Sequence, residues 1–552
     1  IATMIALRDV DYSVLSADKG RNRIIKNLSL DIKTGENVAL MGHNGSGKTT
    51  FLRLLSGLIL PTSGKVEIEG LTTDERSFRG KLGRVVGMVF QNPDDQLLSI
   101  DVEREIALGL ENYSLPAKWI KSRVSDSIDH FNLGEASKRV SSKLSGGEKQ
   151  LLATASVLIL EPGVVLFDES TAHLDRNNRK LFYDSIAKLK SDPEICVIFV
   201  TQSFAEAEEF ERLLVFYEGR LVADCAPTDI VEKPHLFEKY KLNPSGELMI
   251  EKATADLVQL AFEDESTIVD DESESPGKDL LLRTGGLDFD WPADPNRNLI
   301  KNLDLELETA SVCGIIGPTG SGKTSLALLL AGLITPTGGS ISGASGDYKQ
   351  SDLVRLTAYQ FQQAERGMFA ETVFDEIAFA PRNLGIPEEM IDEIVTESME
   401  LCGLDYERMA SRSPFSLSGG EARMAAIASI VSSGKKLMIF DEPTVALDAV
   451  YRDKISTLLD KLRKMKRAVV VISHDSDFIF ENCDRLYLYL NGRFVSDEKY
   501  KLYKHSDLFA KAGADVPPVI RLAEMAGQLE KFRSLKINSL SHPLCQKLMK
   551  SN

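Results

Sequence analysis

The chain has 552 residues, 43% hydrophobic and 27% charged, so the composition is that of a globular protein and the length exceeds one compact core; two or more domains are expected. Its net charge of −17 argues against binding nucleic acid by broad phosphate neutralisation. No apolar run reaches the ~18–20 residues of a transmembrane helix, the start "IATMIALRDVDY" lacks the regions of a signal peptide, and six scattered cysteines without CxxC spacing point to a reducing compartment rather than a zinc site.

In chain order, the first chemical signal is "NVALM" followed by "GHNGSGKT" and "TFLRLLSGL", which predicts a strand, a glycine-rich loop and a helix. In that context Gly42, Gly45 and Gly47 let backbone N–H groups turn inward onto phosphates, and Lys48 reaches the β and γ phosphates. Thr49 offers a hydroxyl to Mg²⁺, and Asn44 and Thr50 belong to the same nucleotide-binding stretch. Further on, "VVLFDE" is a non-alternating apolar run, as in a buried parallel strand, ending in Asp168 and Glu169. Asp168 is placed to help hold Mg²⁺, and Glu169 to polarise an attacking water. "CVIFVTQSF" then predicts a strand with Gln202 at its polar end.

An acidic, serine-rich stretch, "EDESTIVDDESESPGKD", follows and reads as a solvated tether, with a regulatory site as the alternative. After it the whole pattern recurs. "VCGII" leads into "GPTGSGKT" with Gly317, Thr319, Gly320, Gly322, Lys323 and Thr324, and Ser325 opens the next apolar stretch. "LMIFDE" carries Asp441 and Glu442, and "AVVVISHDSDF" carries His474 where the first copy has Gln202. The pairs Lys48/Lys323, Asp168/Asp441 and Gln202/His474 keep a nearly constant spacing, which marks two copies of one domain. The expected organisation is a first domain (1–225) with a tail (226–262), an acidic linker (263–280), a second domain (281–497) and a last tail (498–552).

"LSGGE" occurs before each strand-end aspartate, at 144–148 and 417–421. Together with both phosphate loops it resembles the ATP-binding-cassette (ABC) ATPases over nearly the whole chain outside the tether and last tail. The resemblance implies an α/β fold of two tandem P-loop nucleotide-binding domains, each with a mainly parallel sheet and a helical subdomain, and ATP and Mg²⁺ as cofactors. It implies that each ATP is sandwiched between one domain's phosphate loop and the other's Ser145–Gly146–Gly147 or Ser418–Gly419–Gly420. By position, Gln91 and Gln362 look like the glutamine that senses the γ-phosphate and metal, and Asp175 and Asp448 like the crossing aspartates. Tyr12 and Phe289 look like the adenine-stacking aromatics, with core packing as the other reading of either ring. His474 stands where the family places its switch histidine. Glutamine cannot act as a general acid or base, so the Glu169–Gln202 site is expected to hydrolyse slowly and the Glu442–His474 site to dominate; the other reading makes glutamine a tolerated polar substitute.

"FQNPDDQLLSIDVEREIALG", "MFAETVFDEIAFAPRNLGIP" and the tail "FAKAGADVPPVIRLAEMAGQ" resemble energy-coupling factor and cobalt-type importer ATPases. That likeness implies a motor at the cytoplasmic face of the cell membrane. It would work with a membrane coupling subunit and a small substrate-binding membrane subunit, for a vitamin, vitamin precursor or transition-metal ion. "QQAERG" departs from the pattern in the second copy and puts its partner contacts in question. Alternatives are a fused sugar-importer ATPase and a translation-associated cassette protein. Two intact phosphate loops weigh against the former and a short acidic tether against the latter.

Overall fold

The computed structural model describes residues 2–15, 21–75, 84–98, 100–171, 174, 176–233, 235–242, 279–291, 299–318, 320–445, 447–490, 493–498 and 505–525. Thr319, Asp175, most of the acidic linker and the end of the last tail lie outside them. The chain divides into two units, residues 1–249 and 250–552.

The first unit is built on Asn37–Met41, Cys196–Val200 and Val164–Asp168, three strands of five residues each, every residue buried. Strands covered on both faces have no polar side to show, which is why their sequences run apolar without alternation. They lie in a six-stranded sheet ordered Arg220–Cys225, Arg212–Tyr217, Asn37–Met41, Cys196–Val200, Val164–Asp168, Val86–Val89. All neighbours are parallel except the first pair. A separate antiparallel sheet, ordered Arg21–Lys33, Thr3–Leu15, Ser63–Ile68, Leu71–Thr72, packs into the same core through Ile5, Leu7, Ile25 and Val66. The second unit repeats both orders. Its larger sheet runs Arg493–Glu498, Arg485–Leu490, Ser311–Ile316, Ala468–Ile472, Leu437–Asp441, Thr357–Gln360.

Each unit adds a helical layer. In the first, Val102–Glu111 packs against Ala117–His130 and Gly146–Leu158; in the second, Val373–Asn383, Glu388–Leu401 and Gly419–Val431 pack together. The described parts of the tails fold back on their own units. Phe237 of the first tail meets Phe204 edge-on at 5.1 Å. In the second, Phe509 is fully buried and Ser476 donates to the Asp515 carbonyl at 2.6 Å. Among the described residues, no helix is long and apolar enough to cross a membrane.

Candidate functional site

Parallel strands all point their C-terminal ends to one side, and a loop leaving that edge for a helix exposes its backbone N–H groups there. In both units this edge carries the glycine-rich loop. Gly47 (φ 106°) and Gly322 (φ 107°) adopt the left-handed conformation just before helices Lys48–Leu55 and Lys323–Leu330. A Cβ on Gly47 would come within 2.8 Å of Ile25, and one on Gly322 within 2.9 Å of Leu299, so conformation and space both demand glycine. Lys48 is buried and donates to the Gly42 and His43 carbonyls at 2.7 and 3.2 Å. Lys323 does the same with Gly317 and Pro318 at 2.6 and 2.8 Å. Each ammonium is thus held over its loop's concave side. Gly45 and Gly320 lie exposed at the loop tips, and Thr50 and Ser325 sit in the first helical turn.

The strand-end acids meet these loops. Thr49 donates to Asp168 at 3.3 Å and Thr324 to Asp441 at 3.0 Å, placing a hydroxyl and a carboxylate side by side. Burial, with the next carboxylate adding to it, pushes each aspartate up to about 6. Such paired oxygen donors fit Mg²⁺, which takes one or two protein ligands and keeps its remaining positions for water and phosphate. The next residues, Glu169 (φ 47°) and Glu442 (φ 53°), are left-handed without being glycine. That strain is of order 1–3 kcal/mol. It is accompanied by a backbone hydrogen bond from Glu169 to Val200 and from Glu442 to Ile472, at 3.1 and 2.8 Å.

Around those glutamates the units diverge. Glu169 accepts from Gln91 at 2.9 Å and from Gln202 at 2.6 Å, and Lys48 lies 3.6 Å away. Gln202 also donates to Asn44 at 2.9 Å, so a neutral amide bridges phosphate loop and glutamate. Glu442 instead accepts from the Ser473 hydroxyl at 3.0 Å and the His474 backbone N–H at 3.1 Å. The His474 ring Nε2 lies 3.4 Å from it. Burial pushes Glu442 up to about 7, against the pull of Lys323.

Gln362 is not brought to Glu442 as Gln91 is to Glu169. It is exposed, and its backbone oxygen accepts from Arg423 at 3.0 Å. Arg423 is buried, and it also pairs with Glu365 at 3.0 Å and donates to the Glu442 carbonyl at 3.1 Å. In the first unit the same loop is tied to its helix by Lys149–Asp94 at 2.7 Å and by Gln150 donating to the Phe90 carbonyl at 3.2 Å. The "QQAERG" departure therefore has a local partner, an arginine where the first helix has Gln150. Tyr359, where the first copy has Met88, donates to Asp441 at 3.0 Å.

Ser145 and Ser418 cap helices Gly146–Leu158 and Gly419–Val431 in capping boxes with Glu148 and Glu421. A Cβ on Gly146 or Gly419 would meet nothing within 4 Å, whereas Gly147 and Gly420 lie against Asn178 and Tyr451. Each of these helix N-termini thus opens onto free space, as an anion site requires. Asp448 is buried and caps helix Ala449–Lys464 through the Tyr451 N–H at 3.0 Å.

The aromatic expectation needs correcting in the second copy. Phe289 is 4% exposed and belongs to the core, so it offers no free face to a base. Trp291, two residues on, is 43% exposed, and its indole N–H donates to Ser325 in the phosphate-loop helix at 3.3 Å. Tyr12 is half-buried and packs against the first core.

The family model described as "ABC transporter" matches residues 25–172 and 300–445. A protein of Methanosarcina mazei, named as an ABC transporter ATP-binding protein, is 30% identical over 532 residues, covering 90% of this chain and 88% of its own. A protein of Caldanaerobacter subterraneus with the same description is 28% identical over 555 residues, covering 95% and 96%. Among solved structures, cbiO1 from Clostridium perfringens, titled as part of the ABC transporter complex cbiONQ, is 27% identical. It covers 43% of this chain and 94% of its own, with a TM-score of 0.38.

Proposed function

This chain belongs to the ABC transporter family as an ATPase with two fused nucleotide-binding domains, and we propose that it is the motor of an energy-coupling factor-type importer, peripheral at the cytoplasmic face of the membrane. A separate coupling subunit and a small substrate-binding membrane subunit complete the importer, which carries a vitamin, vitamin precursor or transition-metal ion.

In this reading Lys48 and Lys323 hold the β and γ phosphates of ATP, with the loop amides. Thr49 with Asp168, and Thr324 with Asp441, hold Mg²⁺, which neutralises developing charge on the phosphates. Glu442, seated by Ser473 and the His474 N–H, takes the proton of the attacking water, and the His474 ring donates toward the γ-phosphate. Glu169 and Gln202 form the slower counterpart. Gln91 assists the first site, whereas Gln362 would have to move to reach the second.

The observation that carries the importer reading is apolar surface on each unit that includes residues just after the glutamines, Leu98 in the first and Phe369 and Phe379 in the second. In the first unit a cavity of about 360 Å³ is lined by Leu58, Met88, Phe90, Leu98 and Leu160, with buried Glu105 at its wall. In the second unit Phe361, Phe369, Phe379 and Phe415 are all exposed, and Phe369 and Phe379 meet edge-on at 4.8 Å. Exposed aromatic clusters on a soluble surface mark interaction sites, and a hydrophobic groove of this size suits one apolar helix of a partner. Phe90, Leu98 and Glu105, and in the second unit Phe369 and Phe379, lie in segments whose sequences resemble coupling-factor ATPases.

The test is co-purification of the tagged chain from gently solubilised membranes. A polytopic membrane protein together with one or more small ones is expected, and Phe369→Glu with Leu98→Glu should release them. Recovery of ribosomes, or of no membrane protein, would overturn the reading.

A further inference from the structure

The first turn of helix Ala449–Lys464 touches two loops at once. Tyr451 lies against Gly420, where an added Cβ would sit 2.4 Å from its ring. The next residue, Arg452, points to the loop that carries His474. It pairs with Asp475 at 2.6 Å and with Asp477 at 3.3 Å, and its guanidinium lies 5.3 Å from the centre of the Phe478 ring.

From Arg452 a continuous set of hydrogen bonds leads to Glu442. One Asp475 oxygen takes the guanidinium while the other caps the Phe478 N–H at 2.9 Å. The Asp475 N–H donates to Ser473 at 3.1 Å, and Ser473 donates to Glu442 at 3.0 Å. On the far side Ser476 is held by the Asp515 carbonyl. A loop fixed at both ends can keep a side chain within the few tenths of an ångström that proton transfer needs; a loop fixed at one end cannot. The first unit is built differently. Ser203 and Ala205 stand where Asp475 and Asp477 do, so its switch loop offers no carboxylate at either position.

We propose that Arg452 is a positioning residue of the second ATP site: its ion pairs with Asp475 and Asp477 hold the His474 loop against Glu442 and, through Tyr451, tie that loop to the Ser418–Gly420 turn. The inference rests on the reading that Glu442 and His474 carry hydrolysis. In this proposal Arg452 acts through the loop it holds and not on the reacting atoms. Its effect is on the geometry of the groups that do, so it should appear in turnover and not in nucleotide binding.

The experiment uses the full chain in a Glu169→Gln background, which leaves the second site as the source of turnover. Arg452→Gln should lower kcat about tenfold, the scale of a small misplacement of reacting groups, with KM and binding of a fluorescent ATP analogue unchanged. Arg452→Lys keeps the charge but loses the planar fork, and should recover most of the loss. Asp475→Asn, which leaves the Asp477 pair, should lower kcat in the same direction, and the double variant should be no slower than Arg452→Gln, because the Asp475 pair is one of the two that Arg452 makes. Unchanged kcat in Asp475→Asn, additive losses, or a KM rise at constant kcat would each overturn the proposal. If Glu442→Gln in the same background leaves turnover intact, the assignment of the site fails instead. Asp475→Asn and Arg452→Lys remain informative if Arg452→Gln does not fold.

Discussion

The two units have the same strand order and the same loop backbone, yet they surround the glutamate after the strand-end aspartate in opposite ways. Glu169 is gripped by neutral amides from Gln91 and Gln202 with Lys48 beyond. Glu442 is seated by a hydroxyl and a backbone N–H, with a histidine ring beside it and a carboxyl pushed up to about 7. Neutral amides cannot exchange a proton with a water, whereas the imidazole beside Glu442 can. A carboxyl raised toward neutrality is a better proton acceptor in Brønsted terms. The contrast teaches that backbone features which bind phosphate are kept in both copies, while the groups that would set the rate lie one contact further out.

The sharpest way to break this comparison is to remove each glutamate in turn. Glu442→Gln should reduce ATP turnover by about a hundredfold or more, from the lower end of the range for a general base upward. Glu169→Gln should reduce it by about threefold or less, because the faster site remains. Steady-state phosphate release measures both. Equal losses would mean that Gln202 serves as well as His474. Restoring a histidine tests the same point from the other side: Gln202→His in the Glu442→Gln protein should recover measurable turnover.

A second consequence concerns stability. The ordinary carboxyl value for Glu442 is 4.5, and the folded protein raises it to about 7 by burial. Between those values the folded state binds the proton and the unfolded state does not, so stability falls as pH rises and levels off above about 7. The isosteric Glu442→Gln removes the buried charge. At pH 8, without nucleotide or metal, it should be more stable by on the order of 3 kcal/mol. The gain should shrink as the pH is lowered and be gone below 4.5. Denaturant titrations at several pH values check this, and a gain independent of pH would point to packing instead.

What could be read in the sequence divides along a physical line. The repeat, the phosphate loops, the buried strands and the strand-end acids were legible because each depends on backbone conformation or burial, which short patterns encode locally. The capping boxes at Ser145 and Ser418 are equally local, although only the LSGGE motif was read there. The place of Gln362 was not legible, because where a side chain points after a strand depends on what anchors the loop, and here the anchor, Arg423, lies 61 residues away. The Gln202–Asn44 bridge was hidden for the same reason, being a contact across 158 residues of sequence. Phe289 and Trp291 show the remaining limit. Alternation on a strand states which residues share a face, but not which face the nucleotide would see.

Trp291 supplies the finest distinction between the units. The first copy has Val14 at the corresponding position, two residues past Tyr12, so only the second unit has an indole face beside its phosphate-loop helix. Base stacking on an aromatic is worth ~1–3 kcal/mol. Trp291→Ala should therefore weaken ATP at the second site by about tenfold and leave kcat at saturation nearly unchanged, because the adenine lies far from the bond that breaks. The chain has two tryptophans, and the other, Trp119, lies in the helical layer of the first unit, so a Trp119→Phe protein reports on Trp291 by fluorescence alone. Quenching by ATP in that protein, with an affinity that follows the KM of the Glu169→Gln enzyme, is the expected result. If ATP leaves the fluorescence unchanged, the base lies elsewhere and the second unit binds adenine, as the first must, without a tryptophan.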